Sequence, residues 1–369
     1  MMPALYIHIP FCSKKCLYCD FYSLPYSKDF ASSYLRVILK QIDKLDQDIS
    51  SIYIGGGTPS ALSLETLDKL LKGLKRFIRK DMEFSIEVNP ESVDKEKLKL
   101  FIDKGVNRIS VGVQSFDDKK LKELGRIHDS EQAIKAIEFS KGAGFKNISI
   151  DMIFGNSGEN LYAWQSDLEK AAACGVQHIS SYSLSYEKDA PIFKMKEEGS
   201  IAPLDDEVMA EMYKYATAYL PEKGFQRYEV SNFAKPGFEC KHNLNYWGNN
   251  PYIGIGPSAV SYMGGARAEN VKDVKEYIDR FNKGMDPAIS REELAPIQMA
   301  RETASVKIRT KEGISYDWFK DKTGFGFLEL EKDALEGLAE QGLIEYNKKS
   351  ARLTDKGFLF SDTVSSAFL

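Results

Sequence analysis

A chain of 369 residues has room for one large domain and a smaller one. Its 43% apolar and 28% charged residues are the proportions of a soluble globular protein, and no apolar run approaches bilayer-spanning length, which speaks against an integral membrane protein. The net charge of −4, with no strongly basic domain, speaks against a nucleic-acid partner, which needs a basic footprint.

Apolar strand-like runs alternate with longer helical patterns across the first half. ALYIHIP reads as the first strand, after a start with no basic stretch and long apolar core, so no secretory signal is expected. A helix follows from about Lys28 to Leu45, with Phe30, Tyr34, Val37 and Ile38 at helical spacing. SSIYIGGG is a strand ending in glycines, and LETLDKLLKGLKRFI is an amphipathic helix with Ser63 as its N-cap. MEFSIEVNP is the third strand, followed by a helix that stops at Gly105. RISVGVQS is the fourth, with helical segments to about Ala143. NISIDMIFG and HISSYSLSY are the fifth and sixth, separated by a helix through Trp164 and Leu168. Strict alternation of strand and helix predicts an α/β fold of parallel βα units, and about six such units predict a partial (β/α)6 barrel, related to the closed eightfold type.

After Tyr186 the regularity breaks. A helix is expected from about Asp205 to Glu222, then a Gly-, Asn- and aromatic-rich segment with few helical signals. From about Arg291 the chain is charged and helical again. KDALEGLAEQGLIEYNKKSARLTDKG reads as a helix, a turn at Gly342 and a short strand pair, a winged-helix-like accessory domain whose many acids favour packing or docking over DNA. These patterns divide the chain into a barrel over 1–200, an extension over 201–290 and an accessory domain over 291–369.

The densest chemistry is in YIHIPFCSKKCLYCDF, which sets Cys12, Cys16 and Cys19 in a C-x3-C-x2-C pattern directly after the first strand. Cubane iron–sulfur clusters usually take four cysteines. Three leave one iron without a protein ligand, the open position that a catalytic metal site needs. A structural zinc site is the alternative, but zinc prefers four closed ligands in C-x2-C pairs, and Cys174 and Cys240 are isolated. His8 would have to complete such a site from the preceding strand. Five cysteines, three of them clustered, suit a reducing cytoplasm rather than a disulfide framework.

In a parallel αβ barrel, functional residues gather at the C-terminal ends of the strands. Gly55, Gly56, Gly57 and Thr58 end the second strand, and glycines there let the backbone approach a ligand closely. Glu87, Gln114 and Asp151 fall on the third, fourth and fifth strands, and Arg126 on a loop after the fourth. Each alone is more often a capping or surface residue; their shared rim argues for a site.

At these residues the chain resembles the radical S-adenosylmethionine superfamily, in the branch containing oxygen-independent coproporphyrinogen III oxidase. YIHIPFC-x3-C-x2-CDF, GGGTP, EVNP, VGVQSF, LGRIH and IDMIFG carry the resemblance, which extends over essentially the whole chain. It implies a 4Fe–4S cluster on Cys12, Cys16 and Cys19, with the free iron chelated by the methionine moiety of S-adenosylmethionine. It also implies that Tyr6, Tyr18, Gly56, Gly57, Thr58, Glu87, Gln114, Arg126 and Asp151 line S-adenosylmethionine sites. A guanidinium suits a carboxylate, and Glu87, Gln114 and Asp151 suit ammonium or sugar hydroxyls.

Two departures decide within the branch. The oxidase carries a further cysteine two residues after its third cluster cysteine, and here that position is Phe21. HNLNYW, from His242 to Trp247, matches an HNxxYW signature of the branch's heme-chaperone group. A neutral imidazole is a good axial ligand for heme iron, which makes His242 a candidate. Cys240 is an alternative thiolate, and Tyr246 and Trp247 offer flat apolar surface to a porphyrin. The residues by themselves leave open that His242 and Asn243 are hydrogen-bonded structural groups and that the aromatics are core. The resemblance implies a protein that binds a 4Fe–4S cluster, S-adenosylmethionine and heme and passes heme to acceptors, among them respiratory proteins at the inner face of the membrane. The alternative is the oxidase itself, decarboxylating coproporphyrinogen III by a radical route. Monomer and homodimer stay open, and with no C-x-x-C-H motif a c-type heme linkage is not expected.

Overall fold

Phe84, Ile86 and Val88 alternate with Glu83, Ser85 and Glu87 along one strand, and the three apolar residues are at most 2% exposed within a core cluster of 53 residues. The same alternation puts Leu5, Ile7, Ile9, Ile52, Ile54, Ile109, Val111, Ile148, Ile150 and Ile179 in that cluster. Side chains alternate across a strand, so one face of the sheet is apolar throughout and packs against helices. Fully burying each such side chain contributes about 1.5–3 kcal/mol.

The computed structural model describes residues 1–369. Six parallel strands lie side by side in chain order: β1 (Ala4–Ile9), β2 (Ser51–Gly56), β3 (Glu83–Val88), β4 (Arg108–Gln114), β5 (Asn147–Phe154) and β6 (His178–Ser183). Their crossovers contain α1 (Lys28–Lys44), α2 (Leu64–Leu74), α3 (Lys95–Asp103), α4 (Ser130–Ala143) and α5 (Leu161–Ala173). Several helix starts are fixed locally. Ser63, Asp94, Asp129 and Asn160 each accept a backbone N–H of the first turn, and Asp129 forms a reciprocal capping box with Gln132. The α/β fold of six parallel βα units is therefore present as expected, with the second strand, its helix and the Ser63 cap where the sequence puts them.

Three features depart from the sequence reading. The Gly- and aromatic-rich segment contributes strands. After the short antiparallel pair β7 (Gln226–Arg227) and β8 (Asn232–Ala234), β9 (Tyr252–Ile255) pairs parallel with β1, and β10 (Val260–Met263), β11 (Ala266–Asn270) and β12 (Ala288–Glu293) continue antiparallel. The sheet thus has twelve strands, in the order β12-β11-β10-β9-β1-β2-β3-β4-β5-β6-β8-β7. Second, following α6 (Asp206–Glu222), the HNLNYW stretch lies in a short helix, α7 (Lys241–Trp247). Its first amides, Lys241 N and His242 N, donate to the carboxylate of Glu83 at 2.9 and 3.0 Å, a negative group at a helix N-terminus. Third, Arg291 still belongs to β12, and helix resumes only at α8 (Pro296–Lys307).

Residues beyond Pro296 build a separate core of 15 buried residues with a three-stranded sheet, β13 (Ile314–Ser315), β14 (Ile344–Tyr346) and β15 (Ser350–Leu353). It is clasped to the barrel by side chains. The Arg227 guanidinium lies 3.6 Å from the Phe358 ring centre, Arg309 sits over Trp247, and Asn249 Nδ2 donates to Thr303 Oγ1 at 3.0 Å.

Candidate functional site

Tyr6 and His8 of β1, Tyr53 of β2, Glu87 of β3 and Tyr182 of β6 share one cavity with Tyr252 of β9, Val260 of β10 and Glu269 of β11, a space of about 680 Å³. Residues from opposite ends of the strand order meet there, so the sheet curls around its polar face. Lys15, Asp20, Phe21 and Tyr22 of the cysteine loop form part of the wall. Polar groups pair across neighbouring strands on this inner face. Ser110 Oγ donates to both Asp151 carboxylate oxygens at 3.2 Å, and Ser149 Oγ lies 2.8 Å from His178 Nδ1.

Glu87 is held from two sides: Tyr53 donates its hydroxyl to Oε1 at 2.8 Å and Gly56 N donates to Oε2 at 3.2 Å. Burial, and next the charge of Asp151, still push its carboxyl up to about 7. Burial likewise raises Asp151. Gly56 has φ +106°, and a Cβ there would meet the His8 ring at 2.5 Å. At Gly57 a Cβ would meet the Ile9 and Phe11 backbone at 2.8 Å, so the strand end passes the cysteine loop at a distance only glycine allows. Gln114 closes β4 in the left-handed region, φ 66°, and is 9% exposed. Such strained non-glycine backbone gathers at functional sites. Tyr18 packs in a small cluster with Leu124, Ile153 and Leu184, beside Arg126.

The cysteine loop is pinned at Leu17, whose N–H donates to Leu124 O and whose carbonyl accepts from Ile192 N. Thr58 Oγ1 donates to Cys12 Sγ at 3.4 Å and Arg126 Nη1 to Cys16 Sγ at 3.3 Å. Burial pushes the Cys19 thiol up to about 11, with the neighbouring Cys16 and Cys12 adding to the rise. A cationic metal centre would favour the thiolate forms of such cysteines. No trio of His, Cys, Asp or Glu converges tightly enough for a single ion. A cubane takes each thiolate on a different iron, and three cysteines on one loop are a donor set that fits it. His8 is engaged elsewhere, through Tyr6 OH at 3.1 Å and Tyr22 O at 3.0 Å.

His242 lines the same cavity but is 1% exposed, with Nδ1 2.9 Å from Ser51 Oγ and Nε2 3.1 Å from Tyr246 OH. Burial, and then Arg108, lower its pKa to about 3. Nδ1 ties α7 to β2 through Ser51, and Nε2 meets Tyr246 one turn along the same helix, so both nitrogens have hydroxyl partners within the chain. For His242 to serve as an axial ligand, one of these hydroxyls would have to release its nitrogen. Cys240 is fully buried with its Sγ against Glu83 at 3.4 Å, and Trp247 faces Arg309 of the C-terminal part, away from the cavity wall. Tyr246 does line the cavity. Sequence reasoning passed over Tyr53, Asn89, Glu91 and His128; the last three lie in or beside the EVNP and LGRIH stretches, the only signal that singled them out.

The Radical SAM superfamily model matches residues 6–171, and the HemN C-terminal domain model matches residues 294–360. The chain is 36% identical to the heme chaperone HemW of Bacillus subtilis over 376 aligned positions, covering 100% of this chain and 99% of that protein. It is 34% identical to the heme chaperone HemW of Lactococcus lactis, covering 99% and 96%. Coproporphyrinogen III oxidase (HemN) from Escherichia coli, described as a radical SAM enzyme, superposes with a TM-score of 0.87 at 22% identity, covering 100% of this chain and 90% of that one, a likeness of fold.

Proposed function

This chain belongs to the HemW family of the radical SAM superfamily, and on that premise we propose that it binds heme and hands it to acceptor proteins. Membership of the superfamily implies a 4Fe–4S cluster and S-adenosylmethionine. In this reading Cys12, Cys16 and Cys19 hold the cluster, which supplies an iron open to the amino and carboxylate groups of S-adenosylmethionine. Tyr6, Tyr18, Gly56, Gly57, Thr58, Gln114 and Asp151 shape the pocket for that ligand. Glu87 meets its positive or hydroxyl donors, and Arg126 its carboxylate. Heme lies against the aromatic wall of the cavity, where Phe21, Tyr22, Tyr246 and Tyr252 supply flat surface. The acceptors are respiratory or other heme proteins met at the inner face of the membrane; no helix of the chain is long and apolar enough to cross it.

The observation that carries this reading is the match, over the whole chain, to proteins named as heme chaperones. Phe21 supports it: an exposed phenyl ring, 61% accessible, stands where the oxidase resembling this chain has a cysteine. The test is to incubate the reconstituted protein with heme and, separately, with coproporphyrinogen III, S-adenosylmethionine and reductant without oxygen. A stable heme spectrum and no protoporphyrinogen are expected. Efficient decarboxylation with no heme bound would replace the chaperone by the oxidase.

A further inference from the structure

We infer that Asn89 and Glu91, on the loop after β3, are positioning residues that set the hydrogen bonds received by two cluster cysteines, Asn89 through Thr58 to Cys12 and Glu91 through Arg126 to Cys16. The inference rests on the assignment of the cluster to Cys12, Cys16 and Cys19.

The loop is braced before it reaches any sulfur. Asn89 N donates to Ser60 Oγ at 3.1 Å, Ser60 Oγ lies 2.6 Å from Ser92 Oγ, and Lys97 Nζ donates to the carbonyls of Ser60 and Ser92 at 2.7 and 2.8 Å. From this fixed backbone Asn89 Nδ2 donates to Thr58 Oγ1 at 2.9 Å. A hydroxyl has one proton and two lone pairs. With a lone pair taken by Asn89, its proton is turned towards Cys12 Sγ, 3.4 Å away.

The second relay ends on Cys16. His128 Nε2 faces Val113 O at 3.1 Å, and a carbonyl only accepts, so this nitrogen carries the proton and Nδ1 is an acceptor. Arg126 donates to Nδ1 from Nε at 3.4 Å and Nη2 at 3.3 Å, and Nη2 also donates to Gly112 O at 3.0 Å. With these directions occupied, Nη1 points at Cys16 Sγ, 3.3 Å away. Glu91 supplies the countercharge to the guanidinium, its Oε2 3.8 Å from Arg126 Nη2. Burial alone would raise the Glu91 carboxyl; the positive charge of Arg126 is among the causes that hold it below the usual range. A guanidinium that is 9% exposed needs such a partner to stay in place.

Hydrogen bonds to cluster sulfurs set the reduction potential, because a donor stabilises the added electron. The test is a redox titration of the reconstituted full-length protein, read by EPR and by iron and sulfide content, without turnover. Thr58→Val and Asn89→Leu are each expected to move the midpoint potential more negative, Thr58→Val at least as far. The double variant should move no further than Thr58→Val alone, since one residue acts through the other. Thr58→Ser keeps the hydroxyl and should stay at the wild-type potential. Glu91→Gln and Glu91→Ala remove the same charge, but only Gln keeps a polar side chain of the same size packed against Arg126, so Glu91→Ala should lie below Glu91→Gln. Wild-type potential in Asn89→Leu, additive shifts in the double variant, or equal potentials for the two Glu91 variants would overturn the relays. So would loss of the cluster from Asn89→Leu but not from Thr58→Val, because a residue acting through Thr58 cannot matter more than Thr58. A wild-type protein that assembles no cluster would instead overturn the cluster assignment itself.

Discussion

The two faces of one sheet are built for opposite purposes. Outward, β3 presents Phe84, Ile86 and Val88 to a core of 53 residues; inward it presents Glu83, Ser85 and Glu87. A closed (β/α)8 barrel fills its interior with bulky branched side chains. Here the interior holds Glu87, Asp151, His178 and His242, whose pKa values burial displaces, and Arg108, whose pKa the surrounding acidic groups raise against burial. Apolar burial therefore lies on the face towards the helices, and the polar groups of the proposed ligand site on the face towards the cavity. The boundary between them is one residue wide, and substitutions on either side of it should have separable effects.

The largest effect is expected at the rim, where stability is least involved. Replacing Cys12, Cys16 or Cys19 by Ala should remove nearly all iron and sulfide after reconstitution. The loop lies outside the main core, so unfolding of the metal-free protein should change by less than about 1 kcal/mol. Full iron content in the triple variant would break the assignment. Next comes the outward face: Phe84→Ala should cost about 3–5 kcal/mol in denaturant unfolding, as for a large side chain deleted from a packed core. A cost under about 1 kcal/mol would mean that the apolar face is not where stability resides.

Three residues from Phe84 but facing inward, Glu87 should behave in the reverse sense. Burial and Asp151 raise its carboxyl from 4.5 to about 7 in the folded protein. A folded pKa above the unfolded one contributes stability that is complete below 4.5 and is lost as pH rises through 7. Glu87→Gln should therefore gain on the wild type between pH 5 and pH 8, by roughly 2–3 kcal/mol at most. The same substitution should weaken S-adenosylmethionine binding in calorimetry. Parallel melting curves for both proteins across this pH range would show that Glu87 titrates normally.

Much of this division was legible in the sequence. YIHIP, SIYIGG, EFSIEV, RISVGVQ and HISSYS carry a polar, aromatic or glycine residue at every second position. Parallel strands buried on both faces usually read as continuous apolar runs, so the alternation itself announces a polar interior. The cysteine motif and the helix caps were legible because they are local. What could not be read depends on distant partners. β9 is four residues long and becomes a strand by pairing with β1, some 250 positions earlier. α7 lacks the apolar periodicity of a helix and begins where Glu83 takes its amides. The roles of Asn89 and His128 exist only once Thr58, Arg126, Cys12 and Cys16 are brought together.

The smallest predicted effect bears on His242, whose imidazole is hydrogen-bonded to two hydroxyls of the chain. As a link between β2 and α7 it should matter to stability rather than to heme. His242→Ala leaves the Ser51 and Tyr246 hydroxyls without their partner, a loss of about 1–3 kcal/mol. Because burial and Arg108 lower its folded pKa to about 3, its stabilisation is present above the unfolded value of 6.5 and is lost as pH falls towards 3. The stability gap between wild type and variant should accordingly narrow from pH 7 to pH 4. The heme absorption spectrum should be the same in both proteins. A variant that keeps wild-type stability but shifts the heme bands would show that the imidazole leaves Tyr246 to bind iron, and would move His242 from the structural side of the comparison to the chemical one.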